Sequence, residues 1–280
     1  GMYAVARAAE LIEQRAMADG AACAWWRVAL TLGEANHDNS SMLKPRFMTH
    51  PPVRFDFLPR AMAMFPDEIG FRFSEARLHA RTLSALLELE SPRPRVVQAQ
   101  PGLFVFGMGF LGAPSKRQLE ELDEARRLLA PLTTDPTVGA GARFWSGYLQ
   151  WTTGDLAGGR DTISGVAGID GGAGAADPDL RYTAAVMLGY IDQALGRVSD
   201  ALTDFATALR FRPKSQTASF ALAALLYRDG KAEDAEQLVS ESLGPRGSDE
   251  DPWRLLQYGD LAQLPAQIDA LRSAVAGAAK

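Results

Sequence analysis

The chain has 280 residues, a formal net charge of −5 and one cysteine, Cys23. The acidic balance argues against a nucleic-acid partner, whose phosphates demand a basic surface. A lone cysteine excludes an internal disulfide, and no apolar run reaches the roughly 18–20 residues that span a bilayer. Residues 3–18 read as a helix with Ala4, Ala8, Leu11 and Ile12 on one face, broken at Gly20. Glu10, Glu13, Arg15 and Asp19 are wrong for a signal peptide. Gly1 ahead of Met2 has the look of a cleavage scar. With Met2 as the native start the expected location is the cytoplasm, whereas a trimmed N-terminus would hide an export signal.

A second helix over about 22–35 carries Trp25, Val28, Ala29 and Leu32. It is either a degenerate first repeat or a cap over the end of a stack. Residues 36–54 hold three prolines and no helical period, so they form a loop or an ordered excursion whose Met42, Leu43, Phe47 and Met48 need something to pack on. Helical text returns at Phe57. A long helix follows from about 69 to 90, with Phe73, Ala76, Leu78, Leu83, Leu86 and Leu87 as its stripe. Residues 91–101 interrupt the pattern with three prolines and admit a brief strand at Val96–Gln98.

The most regular stretch is Tyr182–Ser215. Ala185, Leu188, Gly189 and Ile191 recur at helical spacing, then Ala201, Leu202, Phe205, Ala208 and Leu209 do the same. Gly196 between them suits a helix end because it tolerates positive φ. Ser199 or Asp200 is placed to cap the second helix, and Pro213 stops it. Gly189, Ala201 and Ala208 are small where large side chains would hold two antiparallel helices apart, and Phe205 fills the space they leave.

Leu188-Gly189 in the first helix, Ala201, Phe205 and Ala208 in the second, and the closing Pro213 resemble the tetratricopeptide repeat. The aromatic residues usual in the family's first helix are replaced by Ala185 and Asp192. The resemblance implies an all-α fold, a right-handed superhelix (α-solenoid) of antiparallel helix pairs. One hairpin cannot bury its own apolar faces, so about three or more stack. Ala61 and Pro66 repeat the spacing of Ala208 and Pro213. The counterparts of Ala201 are Ala125, Gly159 and Ala235, at steps of 34, 42 and 34 residues, the middle one lengthened by the glycine-rich segment 168–179. The aromatic position reads Leu129, Ile163, Phe205 and Val239; the small first-helix position reads Gly107, Gly147, Gly189 and Ala223; the inter-helix glycine reads Gly154, Gly196 and Gly230. The expected organisation is a degenerate helical part over 2–100, four repeats over 101–247 with an insertion around Pro114–Lys116 in the first, and capping helices over 248–280, in one continuous solenoid. Asp251 and Pro252 are helix-start signals ahead of Trp253, Leu255 and Leu256. Leu264, Ile268, Leu271 and Val275 then share an apolar face.

Gly107-Met-Gly109-Phe-Leu-Gly112 matches G-x-G-x-x-G, and Leu103-Phe-Val-Phe106 ahead of it has strand character. A dinucleotide site also needs a helix opening inside the glycines and a second strand ending in an acid. Pro114 follows instead, and Phe104–Gly107 aligns with Phe144–Gly147 and Met187–Tyr190, so the repeat reading is preferred and no cofactor is expected. His37, Asp38 and His50 share a loop but lack the spacing that holds two ligands on one face, so no metal is expected. Cys23 beside Trp25 reads as a buried thiol. Glu120, Glu121, Asp123 and Glu124 read as a solvated helix start, and no carboxylate pair stands out for acid–base chemistry. No catalytic residue is assigned.

The family's groove positions carry over to Phe104, Met108 and Leu111; Phe144, Tyr148 and Trp151; Val186, Tyr190 and Gln193; and Phe220, Tyr227 and Arg228. A stripe of this kind is either an open groove or packing, and the 36–54 excursion is able to fill it. The lysine–asparagine–arginine clamp with which some relatives grip chaperone C-termini is absent. The expected function is a non-enzymatic scaffold that binds a protein or peptide partner through these aromatics, with no nucleic-acid or membrane partner. The alternatives are self-association into a homo-oligomer through the same stripe, or an enzyme with a site in 36–56 and 91–112.

Overall fold

A computed structural model describes residues 58–89, 96–98, 104–106, 113–167, 177–243 and 251–253. The helices expected over 3–18, 22–35 and 264–275, the 36–54 excursion, and His37, Asp38, His50 and Cys23 lie outside the described residues. Contacts divide the chain into two compact units, with the boundary between Glu75 and Ala76 and the second unit ending at Trp253. In the first, α1 (Leu58–Met64) is stopped at Pro66, buries Leu58 and Ala61, and leads into α2 (Ile69–Leu89), where Phe71 is fully buried with its ring 6.3 Å from Phe65.

The second unit contains the rest of α2. A two-stranded antiparallel ladder follows, β1 (Val96–Gln98) on β2 (Phe104–Phe106), with Val97 opposite Val105. Then come α3 (Lys116–Leu129), α4 (Gly139–Thr153), α5 (Leu156–Ala167), α6 (Pro178–Ala194), α7 (Val198–Phe211), α8 (Gln216–Arg228) and α9 (Ala232–Ser242). Apart from the short ladder the described residues are all-α. The pairs α4–α5, α6–α7 and α8–α9 are antiparallel hairpins, and each packs on the next. No described helix is long and apolar enough to cross a membrane.

The three hairpins turn in the same way. Gly154, Gly196 and Gly230 have φ of 93°, 76° and 83°, a left-handed backbone that glycine adopts without strain. The residue after each donates back across the helix end: Asp155 N–H to Gln150 O, Arg197 N–H to Asp192 O and Lys231 N–H to Leu226 O, at 2.8, 2.8 and 3.0 Å. This is the Schellman closure, which satisfies carbonyls that a helix end leaves open. It also starts the following helix at once. The N-cap of α7 is therefore Arg197, with no side-chain cap, rather than Ser199 or Asp200.

Inside the α4–α5 and α6–α7 hairpins a missing side chain meets a large one. A Cβ on Gly189 would stand 2.6 Å from Cε1 of Phe205, and one on Gly147 would overlap the side chain of Ile163. Ala201, Phe205 and Ala208 are fully buried across from Gly189, and Ala125 and Ile163 are their buried counterparts.

The first repeat differs from its expected form. Phe104–Phe106 is a strand, not the start of a first helix, as the aromatic and β-branched run favours. The helix that packs beside α3 and α4 is α2: His79 Nδ1 lies 2.6 Å from Glu121 Oε2, and the Arg77 and Arg81 guanidinium carbons stand 5.6 and 5.7 Å from the Trp145 ring centroid. At Pro114–Lys116, Ser115 caps α3 in a reciprocal box with Gln118, whose N–H donates to Ser115 Oγ at 3.2 Å while Ser115 N–H donates to Gln118 Oε1 at 3.0 Å. The carboxylates 120–124 accordingly stand past the first turn, where Glu121 holds His79 and Glu124 pairs with Arg127. Pro178 and Asp179, read as loop, already belong to α6, with Asp177 as its N-cap.

Gly189→Ala is expected to destabilise the chain by about 1–3 kcal/mol, because overpacking against Phe205 outweighs alanine's better helix propensity. Thermal denaturation measures it, and adding Phe205→Leu should restore part of the loss. A neutral Gly189→Ala would show that the two helices are not in contact there.

Candidate functional site

The first helices of the pairs carry the aromatic stripe. On α4, Phe144 is buried and meets Trp145 edge-on at 5.9 Å; Trp145 meets Tyr148 at 5.1 Å, and Tyr148 meets Trp151 at 5.9 Å. Tyr148 is half-buried and donates its hydroxyl to Ser84 Oγ of α2 at 3.1 Å. On α6, the half-buried Tyr190 packs edge-on against Phe205 at 5.2 Å, and Val186 is buried. Gln193 is half-buried, and neither atom of its amide has a hydrogen-bond partner. On α8, Phe220 and Tyr227 are 42% and 66% exposed, and Arg228 beside them is exposed. Phe104 stands in the ladder rather than on this stripe, while Met108 and Leu111 lie outside the described residues.

The rings of α4 and α6 are joined by a residue that the repeat pattern did not place among them. Trp253 lies 6.1 Å from Trp151 and 5.4 Å from Tyr190, centroid to centroid, and is 3% exposed, with Trp151 at 7%. Asp251 fixes the backbone beside it. Its Oδ1 accepts from the Tyr182 hydroxyl at 2.6 Å and from Trp253 N–H at 3.1 Å. Its Oδ2 accepts from Thr217 N–H at 2.9 Å and from the Ser215 hydroxyl at 3.1 Å. Asp251 and Pro252 open a helical turn as the sequence signals indicate, but nothing in their spacing says that the turn seats on α6 and α8. Burial, and then the Asp251 carboxylate, push the Tyr182 phenol well above its ordinary range, so it remains a donor.

A second polar cluster sits between α5, α6 and α7. Asp192 occupies a first-helix position where the family favours an aromatic, and it is fully buried. Arg160 of α5 donates Nε–H to Asp192 Oδ1 at 2.6 Å and reaches Asp200 of α7 at 3.7 Å; Arg197 stands 3.9 Å from Asp192. Asp204 of α7 is within hydrogen-bonding reach of Asp192, and its carboxyl is pushed up to about 7, first by burial and then by Asp192. The Oδ2 atoms of Asp192 and Asp204 both lack a donor while both groups are ionised, and a proton held on Asp204 supplies one. Nothing in the residue spacing points to this pair, whose members are twelve residues apart on facing helices. With Asp192 sealed between helices, the pair ties repeats together and offers no surface to a substrate. Among the described residues no group of three His, Cys, Asp or Glu side chains is placed to hold a metal ion.

Glycine-closed turns in all three hairpins, small-to-large contacts inside two of them and an aromatic stripe along the first helices define a helical-hairpin repeat protein. The family model of the tetratricopeptide repeat matches residues 186–252, from midway along α6 to Pro252, and this part of the chain is a tetratricopeptide repeat array. No curated protein and no solved structure matches the chain.

The Asp204 carboxyl sets a pH dependence. A carboxyl that ionises near 3.8 when unfolded and at about 7 when folded takes up a proton on folding between those values. Its contribution is greatest below about pH 4, falls as the pH rises to about 7, and levels off above. Asp204→Asn keeps a donor toward Asp192 and is neutral throughout. Discounted for water around the half-exposed group, the variant should gain about 1–2 kcal/mol on the wild type between pH 5 and pH 8. Chemical denaturation at those pH values measures the difference, and parallel profiles would remove Asp204 from the account.

Proposed function

We propose that this protein is a non-enzymatic scaffold that holds a segment of a partner protein along the first-helix face of its repeats. The observation that carries the reading is the exposure of Phe220 and Tyr227, seven residues apart on one face of α8, with Arg228 beside them. They occupy the positions that line the groove in tetratricopeptide repeat arrays. Exposed aromatics at such spacing supply contact area at low entropic cost, and residues of this kind dominate recognition energies. Phe144, Tyr148, Trp151 and Tyr190 are a different case. They are buried or half-buried in contacts with the chain itself, so on this reading they build the floor that presents the exposed pair.

Phe220→Ala with Tyr227→Ala should leave the thermal transition within about 1 kcal/mol of the wild type, as substitutions of exposed residues do. It should weaken the partner by about 30-fold or more, the loss expected of two anchors. Affinity capture from an extract of the native host with both proteins, followed by mass spectrometry, makes the comparison. Identical captured sets would overturn the reading.

A further inference from the structure

Residues Asp251, Pro252 and Trp253 are joined to α9 through residues 244–250 and meet the array through two side chains. The carboxylate of Asp251 takes a hydroxyl from Tyr182, a hydroxyl from Ser215 and the backbone N–H of Thr217, all supplied by α6 and the start of α8. The indole of Trp253 takes the space between Trp151 and Tyr190. We propose that these three residues are an internal ligand, seated in a two-pocket site for a carboxylate and an aromatic ring two residues apart, and that a partner displaces them with a segment carrying an Asp or Glu two residues ahead of a Trp. This rests on the groove reading above and names the partner's chemistry.

Both pockets are built by the array. Tyr182 is fully buried and Ser215 nearly so; their hydroxyls bond to each other, which leaves one hydroxyl proton and the Thr217 N–H needing an outside acceptor, because an unmet buried donor is costly. Ser215 already accepts Ala218 N–H as the N-cap of α8, so an acid at this point also meets the positive end of that helix. The spacing of the two anchors is fixed within the ligand. Trp253 N–H donates to Asp251 Oδ1 at 3.1 Å, and Pro252 presets the turn between them. A short segment with this pattern therefore carries the bound geometry in its own sequence.

Displacement has a source of energy. The internal ligand belongs to the same chain as its pockets, so a partner has to compete with an intramolecular occupant. The internal ligand leaves Tyr227 mostly exposed and Phe220 partly so. A partner segment that continues along α8 covers them as well and gains contacts that the internal ligand lacks.

The test uses the full chain and a dye-labelled peptide with the sequence of Ser248–Leu256, followed by fluorescence anisotropy. Trp253→Ala vacates the ring pocket and should bind the peptide at least about 10-fold more tightly than the wild type does. The same peptide with its Asp251 or Trp253 equivalent changed to Ala should lose that binding. Equal, weak binding to wild type and Trp253→Ala would overturn the proposal. If circular dichroism shows Trp253→Ala unfolded, Asp251→Ala decides in its place: tighter peptide binding than wild type supports the proposal, and no gain overturns it. Sedimentation of the wild type as a dimer that Trp253→Ala abolishes would put a second copy's segment in the site and overturn the partner reading. Failure of the peptide alongside persistent loss of capture by the Phe220/Tyr227 variant sinks only this inference; loss of both effects sinks the groove reading as well.

Discussion

The ring of Phe205 lies where a side chain on Gly189 would be, and the rest of the array depends on that vacancy. Removing one Cβ lets the α6 and α7 backbones approach, and Ala201 and Ala208 keep the approach open a turn to either side of the ring. Gly147 against Ile163 does the same work in the preceding pair. The positive-φ glycine then sets the angle at which the second helix leaves the first, so pairs of one shape result. A hairpin closed this tightly still has a bare apolar flank, which only another hairpin of the same shape covers. The stack is thus a consequence of a contact within one repeat.

Those features were legible because they are local. A glycine seven residues before another glycine, an alanine–aromatic–alanine series and a proline stop all lie within one hairpin, where spacing determines geometry. The first repeat shows where spacing fails. Phe104–Gly107 carried the right types at the right interval, yet Phe-Val-Phe pairs with Val96–Gln98 as a strand. The neighbour of α4 is α2, from before the ladder, held by Arg77, Arg81 and Ser84. A regular period does not reveal that a segment between the two helices of a unit has been lengthened.

Asp192 shows a second limit. In the sequence it is a polar residue where an aromatic was expected, a departure with no stated cause. In the fold it is buried between three helices, and Arg160 from the preceding pair and Asp204 from its own pair complete it. A buried charge of this kind is seldom worth more than well-packed apolar residues, but removing one member leaves the others stranded. The cluster requires α5, α6 and α7 in one arrangement together. We interpret this as fixing the register between successive pairs, which apolar contacts alone specify less sharply.

The aromatic stripe was also legible, but not its state. Positions 144, 148, 151 and 190 were found by spacing, while the ring that joins them, Trp253, comes from outside the repeat and over sixty residues further along the chain from Tyr190. The face is a core with one wall supplied by a separate segment, and the two pockets differ in what they demand of that wall. The ring pocket between Trp151 and Tyr190 is apolar, and apolar pockets separate similar ring sizes by only about 1–3 kcal/mol. The pocket of Tyr182, Ser215 and Thr217 N–H is polar and buried, so an occupant without an acceptor leaves donors unmet, a far larger penalty. Affinity at this face therefore comes mainly from the indole, and selectivity from the carboxylate two residues before it.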